Sequence, residues 1–257
     1  MILAIDCGNT HTAFGCINEL GSAEQIFRIP TDRAETDFGY AAKIKQILTL
    51  DNLSPSDFEG AVVSCVVPPL TDTLVRAVRM LTGRDALVVG AGVKTGLHIA
   101  INDPGTIASD LVAAAVAAKE EYPLPCIIVD MGTATTMTVV DEKARYVGGA
   151  ILPGVGLSQR ALAEGTALLP HIDLRSPRNA IAVSTVESMK SGMIYGTAGA
   201  IDGLLDRFAE ELGREPASIV ATGGISHLIC PHCRHGITID ETLLIRGLWL
   251  IWKKNQK

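Results

Sequence analysis

Two short segments carry residue types able to handle a polyphosphate. The first is Ile2-Leu3-Ala4-Ile5-Asp6-Cys7-Gly8-Asn9-Thr10, continuing into His11, Thr12 and Ala13. The second is Cys126-Ile127-Ile128-Val129-Asp130-Met131-Gly132-Thr133-Ala134-Thr135-Thr136. Each is an apolar run closed by Asp, then Gly after one intervening residue, then small hydroxyl or amide side chains. Each resumes as a β-like run, Thr12 to Ile17 and Met137 to Val140. A Gly turn lets backbone N–H groups come close to a phosphate, and Thr and Asn add neutral donors. An Asp at a strand end can hold a cation or its water shell. One Asp-x-Gly by itself is an ordinary hairpin turn. Two copies, each followed by Thr, point to a pair of turns able to grip one polyphosphate from opposite sides.

Other constellations are weaker alone. Thr222-Gly223-Gly224 follows an apolar strand, and such a turn can take a base or ribose against bare backbone. Gly148-Gly149-Ala150-Ile151-Leu152-Pro153-Gly154 is a second Gly-rich stretch beside a strand. Asp110 opens an Ala-rich helical stretch, where Asp most often serves the helix dipole. A carboxylate there can also accept a hydroxyl proton during phosphoryl transfer. Cys230-Pro231-His232-Cys233 has the spacing of a redox pair, or of half a zinc site with His227 or His235. A redox pair normally opens a helix, whereas a β-like stretch follows here. The remaining cysteines do not form the second ligand pair that a closed zinc site needs. A loop with incidental thiols is the plainer reading.

Composition narrows the function classes. The chain has 257 residues, 47% hydrophobic and 19% charged, with a net charge of −6. It lacks a long basic run, which argues against nucleic acid as main partner. No apolar run reaches the ~20 residues that a membrane helix needs. The apolar N-terminal stretch stops at Asp6 without a basic flank, so it does not read as a signal peptide. These features predict a cytoplasmic protein without membrane contact.

The elements that must position these residues read as a repeated α/β pattern. A hairpin spans 1–17. A helix over 36–50 places Ala41, Ile44, Ile47 and Leu48 on one face. A buried strand runs from Gly60 to Val67. Leu70, Leu74, Val78 and Leu81 recur at helical spacing, with Gly83 as C-cap. Leu87 to Val89 is another strand, and Ser109 caps a helix to Lys119. The second strand–turn–strand unit starts at Cys126, which puts a domain boundary near 112–124. The division is taken as 1–116 and 117–257. Beyond it come a strand at Tyr146 to Ile151, a helix from about Gly156 to Glu164 and a long helix from Thr185 to Leu212. A strand at Ile219 to Ala221 and a final helix from about Glu241 to Lys253 complete the pattern. Gly192, Gly196, Gly199 and Gly203 fall on one face of the long helix. Each costs up to ~1 kcal/mol against alanine, so the stripe implies very close approach of another helix or a ligand, read as close packing within the chain or as a subunit interface.

Asp-x-Gly-Asn-Thr near the N-terminus, Asp-x-Gly-Thr-Ala-Thr-Thr mid-chain and a later Thr-Gly-Gly together resemble the two phosphate motifs and the adenosine motif of the acetate/sugar kinase, Hsp70 and actin superfamily. More narrowly, the chain resembles the type III pantothenate kinases over nearly its full length. The resemblance includes Ser64-Cys65-Val66-Val67-Pro68-Pro69, Lys94-Thr95-Gly96-Leu97, the stretch Gly148 to Gly154, Leu162 to Pro170 with Thr166, and Asp240 to Leu248. It implies an actin/ribonuclease H-like α/β fold whose two related domains face a central nucleotide cleft. It also implies ATP with Mg2+, pantothenate as acceptor, a monovalent cation (K+ or NH4+) and a homodimer. Carried over by position, Asp6, Cys7, Gly8, Asn9, Thr10, His11, Thr12 and Ala13 form the first phosphate loop. Thr133, Gly223 and Gly224 also touch ATP, and Asp130 holds the cation. Asp110 is the general base. Ile101, Ala108, Ser109, Asp110, Leu111, Thr166 and Thr185 line the acceptor site.

The acceptor half departs from the family pattern. Gly-Ala-Asp-Arg is common around the base, and this chain has Ala108-Ser109-Asp110-Leu111. The guanidinium expected on the substrate carboxylate is therefore missing, with Arg160 and Arg28 as possible substitutes. A Tyr common upstream is matched by Ile101, and Gly-Lys-Asn-Thr by Ala182-Val183-Ser184-Thr185. Losing a bidentate carboxylate contact is not a conservative change. Two further readings follow: a nucleotide-binding regulatory paralogue without kinase activity, or a kinase of the same fold for another small hydroxy acid.

Overall fold

The apolar runs of the two Asp–Gly segments become central strands. A strand buried on both faces needs an unbroken apolar sequence, and both segments have one. β1 (Ile2–Cys7) and its later counterpart, Cys126–Met131, are buried at the same five of six positions, the partly exposed one being the Asp. The computed structural model describes residues 1–256.

In chain order, β1 is followed by β2 (His11–Ile17), β3 (Ala23–Pro30), α1 (Asp37–Leu50), β4 (Gly60–Cys65), α2 (Pro68–Thr82) and β5 (Ala86–Val88). Next come β6 (His98–Ile99), α3 (Ser109–Glu121), β7 (Cys126–Met131), β8 (Ala134–Val140) and β9 (Arg145–Pro153). The chain continues through α4 (Val155–Gly165), α5 (Thr185–Leu212), β10 (Ser218–Thr222), α6 (Ser226–Ile229), β11 (Thr238–Ile239) and α7 (Leu243–Lys254).

The internal repeat extends from the turns to whole sheets. One sheet has the order β3-β2-β1-β4-β5; the other reads β11-β10-β7-β8-β9-β6. In each, the strand ending in Asp pairs antiparallel with the strand after the turn and parallel with a later strand. β2 pairs antiparallel with β3, as β8 does with β9. β4 pairs parallel with β5, as β10 does with β11.

The chain divides into two compact units. The first comprises Met1–His98, Asn102–Glu120 and the segment from Thr242; the second comprises Ile99–Ile101 and Glu121–Glu241. The expected division at 116/117 assigned the last helix to the second half. Instead α7 packs on β1, β2 and β4. Glycines allow that close approach. An added Cβ at Gly15 would lie 2.3 Å from Ile245 Cγ2, at Gly60 2.7 Å from the Trp252 ring, and at Gly247 1.9 Å from the Ala113 carbonyl oxygen. The close approach of α7 to α3 matches the composition of α3, whose residues Val112 to Ala118 are all buried and mostly alanine.

Local signals set the helix limits. Thr36 caps α1, its side chain accepting from Gly39 N–H. Pro68 and Pro69 open α2, and Gly83 closes it at φ 66°, its N–H bonding Arg79 O at 3.0 Å. The Ser184 side chain caps α5, and Gly213 ends it at φ 68°. In the first unit Leu3, Ile5, Phe14, Tyr40, Ile44, Leu48, Val63, Leu70 and Leu74 share one core. In the second, Ile127, Val129, Met137, Ile194, Ile201, Leu205 and Ala221 share another.

Candidate active site

In the first unit the turn after β1 is braced by its neighbours. Gly8 N–H bonds His11 O at 3.0 Å, and register resumes with Cys7 opposite Thr12. That leaves Gly8, Asn9, Thr10 and His11 as the turn, with Asn9, Thr10 and His11 exposed. Thr31, at the end of β3, holds the turn from outside. Its N–H bonds Thr10 O at 2.9 Å and its hydroxyl donates to Gly8 O at 2.8 Å. Thr12 is buried, its hydroxyl 2.8 Å from that of Thr31. Arg33 Nη2 donates to Asn9 Oδ1 at 3.1 Å, so a guanidinium stands beside the turn. Cys7 is fully buried and Ala13 half-buried, so within the expected loop these two offer backbone rather than side chain.

Asp6 lies directly opposite Ser64 in the parallel ladder of β1 and β4. Ser64 Oγ donates to Asp6 Oδ1 at 2.9 Å and lies 2.9 Å from Ser109 Oγ. Ser109 was expected to cap α3 from outside. It is instead the first residue of the helix, its hydroxyl engaged with Ser64. Asp110 follows it. Asp110 Oδ1 accepts from Leu111 N–H at 2.8 Å, and burial pushes its carboxyl above the ordinary 3.8 despite that bond. A half-buried carboxylate biased toward holding a proton has the character a general base needs. The first unit therefore brings together Asp6, the turn 8–11, Ser109 and Asp110. Ala108 and Leu111, flanking these two, are also half-buried.

In the second unit the equivalent turn is one residue shorter. Gly132 N–H bonds Ala134 O at 3.0 Å, and Met131 pairs with Thr135. Thr133 is exposed at the tip, and its carbonyl accepts from Gly154 N–H at 3.1 Å. That contact gives the Gly148 to Gly154 stretch a role. An added Cβ at Gly154 would sit 2.3 Å from Thr133 O, and one at Gly149 only 1.8 Å from Met137 O. Asp130 lies beside Thr222 in the parallel ladder, so Thr222-Gly223-Gly224 leaves the sheet next to the Gly132–Ala134 turn. Gly223 has φ +95°, and its Cβ would lie 2.5 Å from Met131 O. Gly224 is exposed, with nothing within 4 Å of an added Cβ.

The remaining expected acceptor residues are dispersed within this unit. Ile101 is half-buried after β6. Thr166 follows α4, its hydroxyl donating to Leu162 O at 2.8 Å. Thr185 is the exposed first residue of α5. Cys230 and Cys233 belong to the core around α5 and α6, and burial pushes their thiols up to about 11 and about 12. Among the described residues no group of three or more His, Cys, Asp or Glu could hold a metal ion.

Residue-level reading missed Thr31, Arg33 and the role of Ser64. Thr31 and Arg33 follow a strand with no clear signal, and Ser64 is visible only once the register sets it beside Asp6.

A family model described as type III pantothenate kinase matches residues 2–207. A curated type III pantothenate kinase from Brevibacillus brevis (strain 47 / JCM 6285 / NBRC 100599) is 38% identical over 258 residues, covering 100% of both chains. The chain belongs to the type III pantothenate kinase family. Membership makes it a nucleotide-using kinase. Among solved structures it resembles the activator of 2-hydroxyisocaproyl-CoA dehydratase from Clostridium difficile with bound ADPNP: TM-score 0.56, 13% identity, coverage 100% of this chain and 98% of that one. It also resembles the ROK hexokinase from Thermus thermophilus, with TM-score 0.52, 12% identity and 99% coverage of both chains. At such identities the likeness speaks for fold alone, and the fold is the expected actin-like α/β architecture with two sheets of matching topology. No helix among the described residues is long and apolar enough to cross a membrane.

Proposed function

We propose that this chain transfers the γ-phosphoryl group of ATP to the primary hydroxyl of pantothenate, giving 4'-phosphopantothenate, the first step toward coenzyme A. The carrying observation is the retention of Asp110, half-buried and shifted toward proton uptake, beside the phosphate turn of a chain that matches this family at full length. In this reading the backbone and hydroxyls of Asp6 to Ala13, together with Thr133, hold the phosphates, and Gly223 and Gly224 take the adenosine. Ile101, Ala108, Ser109, Leu111, Thr166 and Thr185 shape the acceptor site. Catalysis of phosphoryl transfer is mainly positioning and charge stabilisation, and Asp110 adds removal of the acceptor proton.

The donor chemistry fits the ions in question. Asp6 and Asp130 are carboxylates at strand ends flanked by hydroxyls, an all-oxygen set suited to hard cations. Mg2+ would be carried largely by the substrate phosphates and water. Asp130 would hold a monovalent cation, K+ or NH4+, whose charge offsets that of the phosphates.

We also propose a cytoplasmic homodimer. The two explanations of the glycine stripe are packing within the chain and an interface. Gly192, Gly196 and Gly199 have nothing within 4 Å of an added Cβ and Gly203 meets Arg207 Nη1 at 3.7 Å, which supports the interface reading. Leu168, Ile181 and Val183, in the segment before α5, are 88%, 88% and 100% exposed, a large apolar offering for a monomer. Sedimentation as a fully active monomer at micromolar concentration would contradict the dimer.

The function is tested by measuring ADP release with pantothenate, with other hydroxy acids and with no acceptor, identifying the product by mass. Pantothenate-dependent release with a one-phosphate mass gain is expected. ATP binding without turnover on any acceptor would replace the kinase reading with a regulatory one. The Leu111 and Ile101 departures give that alternative its footing.

A further inference from the structure

The carboxylate that closes β1 and the helix that carries Asp110 are joined through two serines. Asp6 and Ser64 are direct partners on parallel strands, so their side chains leave the sheet on the same face. Ser64 is fully buried, 2.9 Å from Asp6 Oδ1 and 2.9 Å from Ser109 Oγ. A serine hydroxyl carries one proton, and an ionised carboxylate only accepts. The Ser64 proton is therefore committed to Asp6, and Ser109 must donate to Ser64. The chain has one direction: Ser109 O–H to Ser64 O, Ser64 O–H to the Asp6 carboxylate.

Building on the kinase reading with Asp110 as base, we propose that Ser64 and Ser109 are positioning residues that fix the first turn of α3, and with it Asp110, against the Asp6 end of β1. The hydrogen bond Asp110 accepts comes from Leu111 on the same helix, so it orients the carboxylate relative to α3 without anchoring α3 itself. A helix start has N–H groups with no intrahelical partner and opens more readily than a paired strand. The β1–β4 ladder is the rigid side of the link. Hydrogen bonds ending on an ionised group are the stronger kind, so the buried chain is suited to hold a helix end in place. Neither serine touches the reacting atoms in this role, and neither carries the acceptor proton.

Steady-state kinetics on Ser109→Ala, Ser109→Thr, Ser64→Ala and the double alanine variant test the link. A small misplacement of a catalytic group costs up to ~100-fold. Ser109→Ala should lose roughly 5- to 30-fold in kcat, with KM for ATP changed less than about three-fold. Ser109→Thr restores the hydroxyl and should recover most of that loss. The double variant should be no slower than Ser64→Ala, because the Ser109 hydroxyl has no partner once Ser64 is gone. The acid limb of kcat should stay at the parent pH, since position changes and the proton acceptor does not. Val112 N–H, which bonds Ala108 O at 3.2 Å, should exchange faster with solvent in both single alanine variants. Turnover of Ser109→Ala within two-fold of the parent, or a double variant whose loss is the product of the single losses, would overturn the assignment. If the parent shows no pantothenate-dependent turnover, the kinase reading falls and exchange alone decides the link. Faster exchange at Val112 in both variants then supports it, and unchanged exchange overturns it.

Discussion

Alanine at Gly223 and alanine at Gly224 should have opposite signatures, although the residues are adjacent in the same motif. Gly223 has φ +95°, and an added Cβ would stand 2.5 Å from Met131 O, 2.6 Å from Met131 C and 2.7 Å from Met131 N. All three are backbone atoms of β7, the strand that ends in the second Asp–Gly turn, and backbone cannot rotate aside. A side chain at positive φ costs about 1–2 kcal/mol. Overpacking against fixed atoms costs about 1–3 kcal/mol more. The sum, about 2–5 kcal/mol, corresponds to roughly 5–20 °C in melting temperature for a chain of this size. Gly224 meets nothing within 4 Å and should accept alanine with almost no change in stability. If its bare backbone faces the adenosine, alanine there should weaken ATP binding while the fold stays intact. Thermal unfolding without nucleotide and calorimetric titration with ATP separate the two effects. Equal melting temperatures for Gly223→Ala and Gly224→Ala would show that the Gly223–Met131 contact is not what makes this turn.

Three further outcomes are expected. Asp130→Asn should weaken ATP binding and abolish the dependence on potassium or ammonium, read from ADP release in buffers that differ only in the monovalent cation. Iodoacetamide at pH 7 should modify Cys65 before Cys126, Cys230 or Cys233, followed by peptide mass. The hydrogen bond from Cys7 holds Cys65 below the ordinary thiol value, while burial pushes the other three up. As a thiol, Cys65 donates to Val67 O at 3.1 Å, so its modification should slow as the pH falls and the thiolate is protonated. Asp110→Asn should melt higher than the parent at neutral pH. Burial raises the folded carboxyl above its ordinary 3.8, so the folded state holds that proton more tightly than the unfolded state. The contribution is favourable below about 3.8 and is lost as pH rises through the folded value; asparagine removes the cost.

The paired turns were legible because chemistry and pattern coincide in them: an unbroken apolar run, then Asp, then Gly. The matching order of the two sheets follows from that repeat. β3 was not legible, because Glu24, Gln25 and Arg28 interrupt its apolar residues, and the tight turn before it, in which Gly21 N–H bonds Asn18 O at 3.0 Å, was not read as a hairpin turn. The partner of α7 was hidden for another reason. Helical periodicity says which face is apolar and not what covers it. The signal lay far away, in Gly15 and Gly60 on the strands beneath it. Ser109 misled because Ser before an apolar helical run fits a cap, while tertiary contact with Ser64 placed it inside the first turn. The glycine stripe posed a question that sequence left open, and in the structure Gly192, Gly196 and Gly199 have open space where a Cβ would stand.

The central claim is that Asp110 takes the acceptor proton in an ATP-dependent phosphorylation of pantothenate. The most direct measurement is turnover of Asp110→Asn beside the parent, with ATP affinity determined on both. Asparagine is close in size and serves a helix start about as well as aspartate, so the fold should survive the change. The account predicts a fall in kcat of roughly 10²–10⁴-fold with ATP affinity nearly unchanged. Turnover within a few-fold of the parent would contradict it and leave Asp110 as only a helix-start residue.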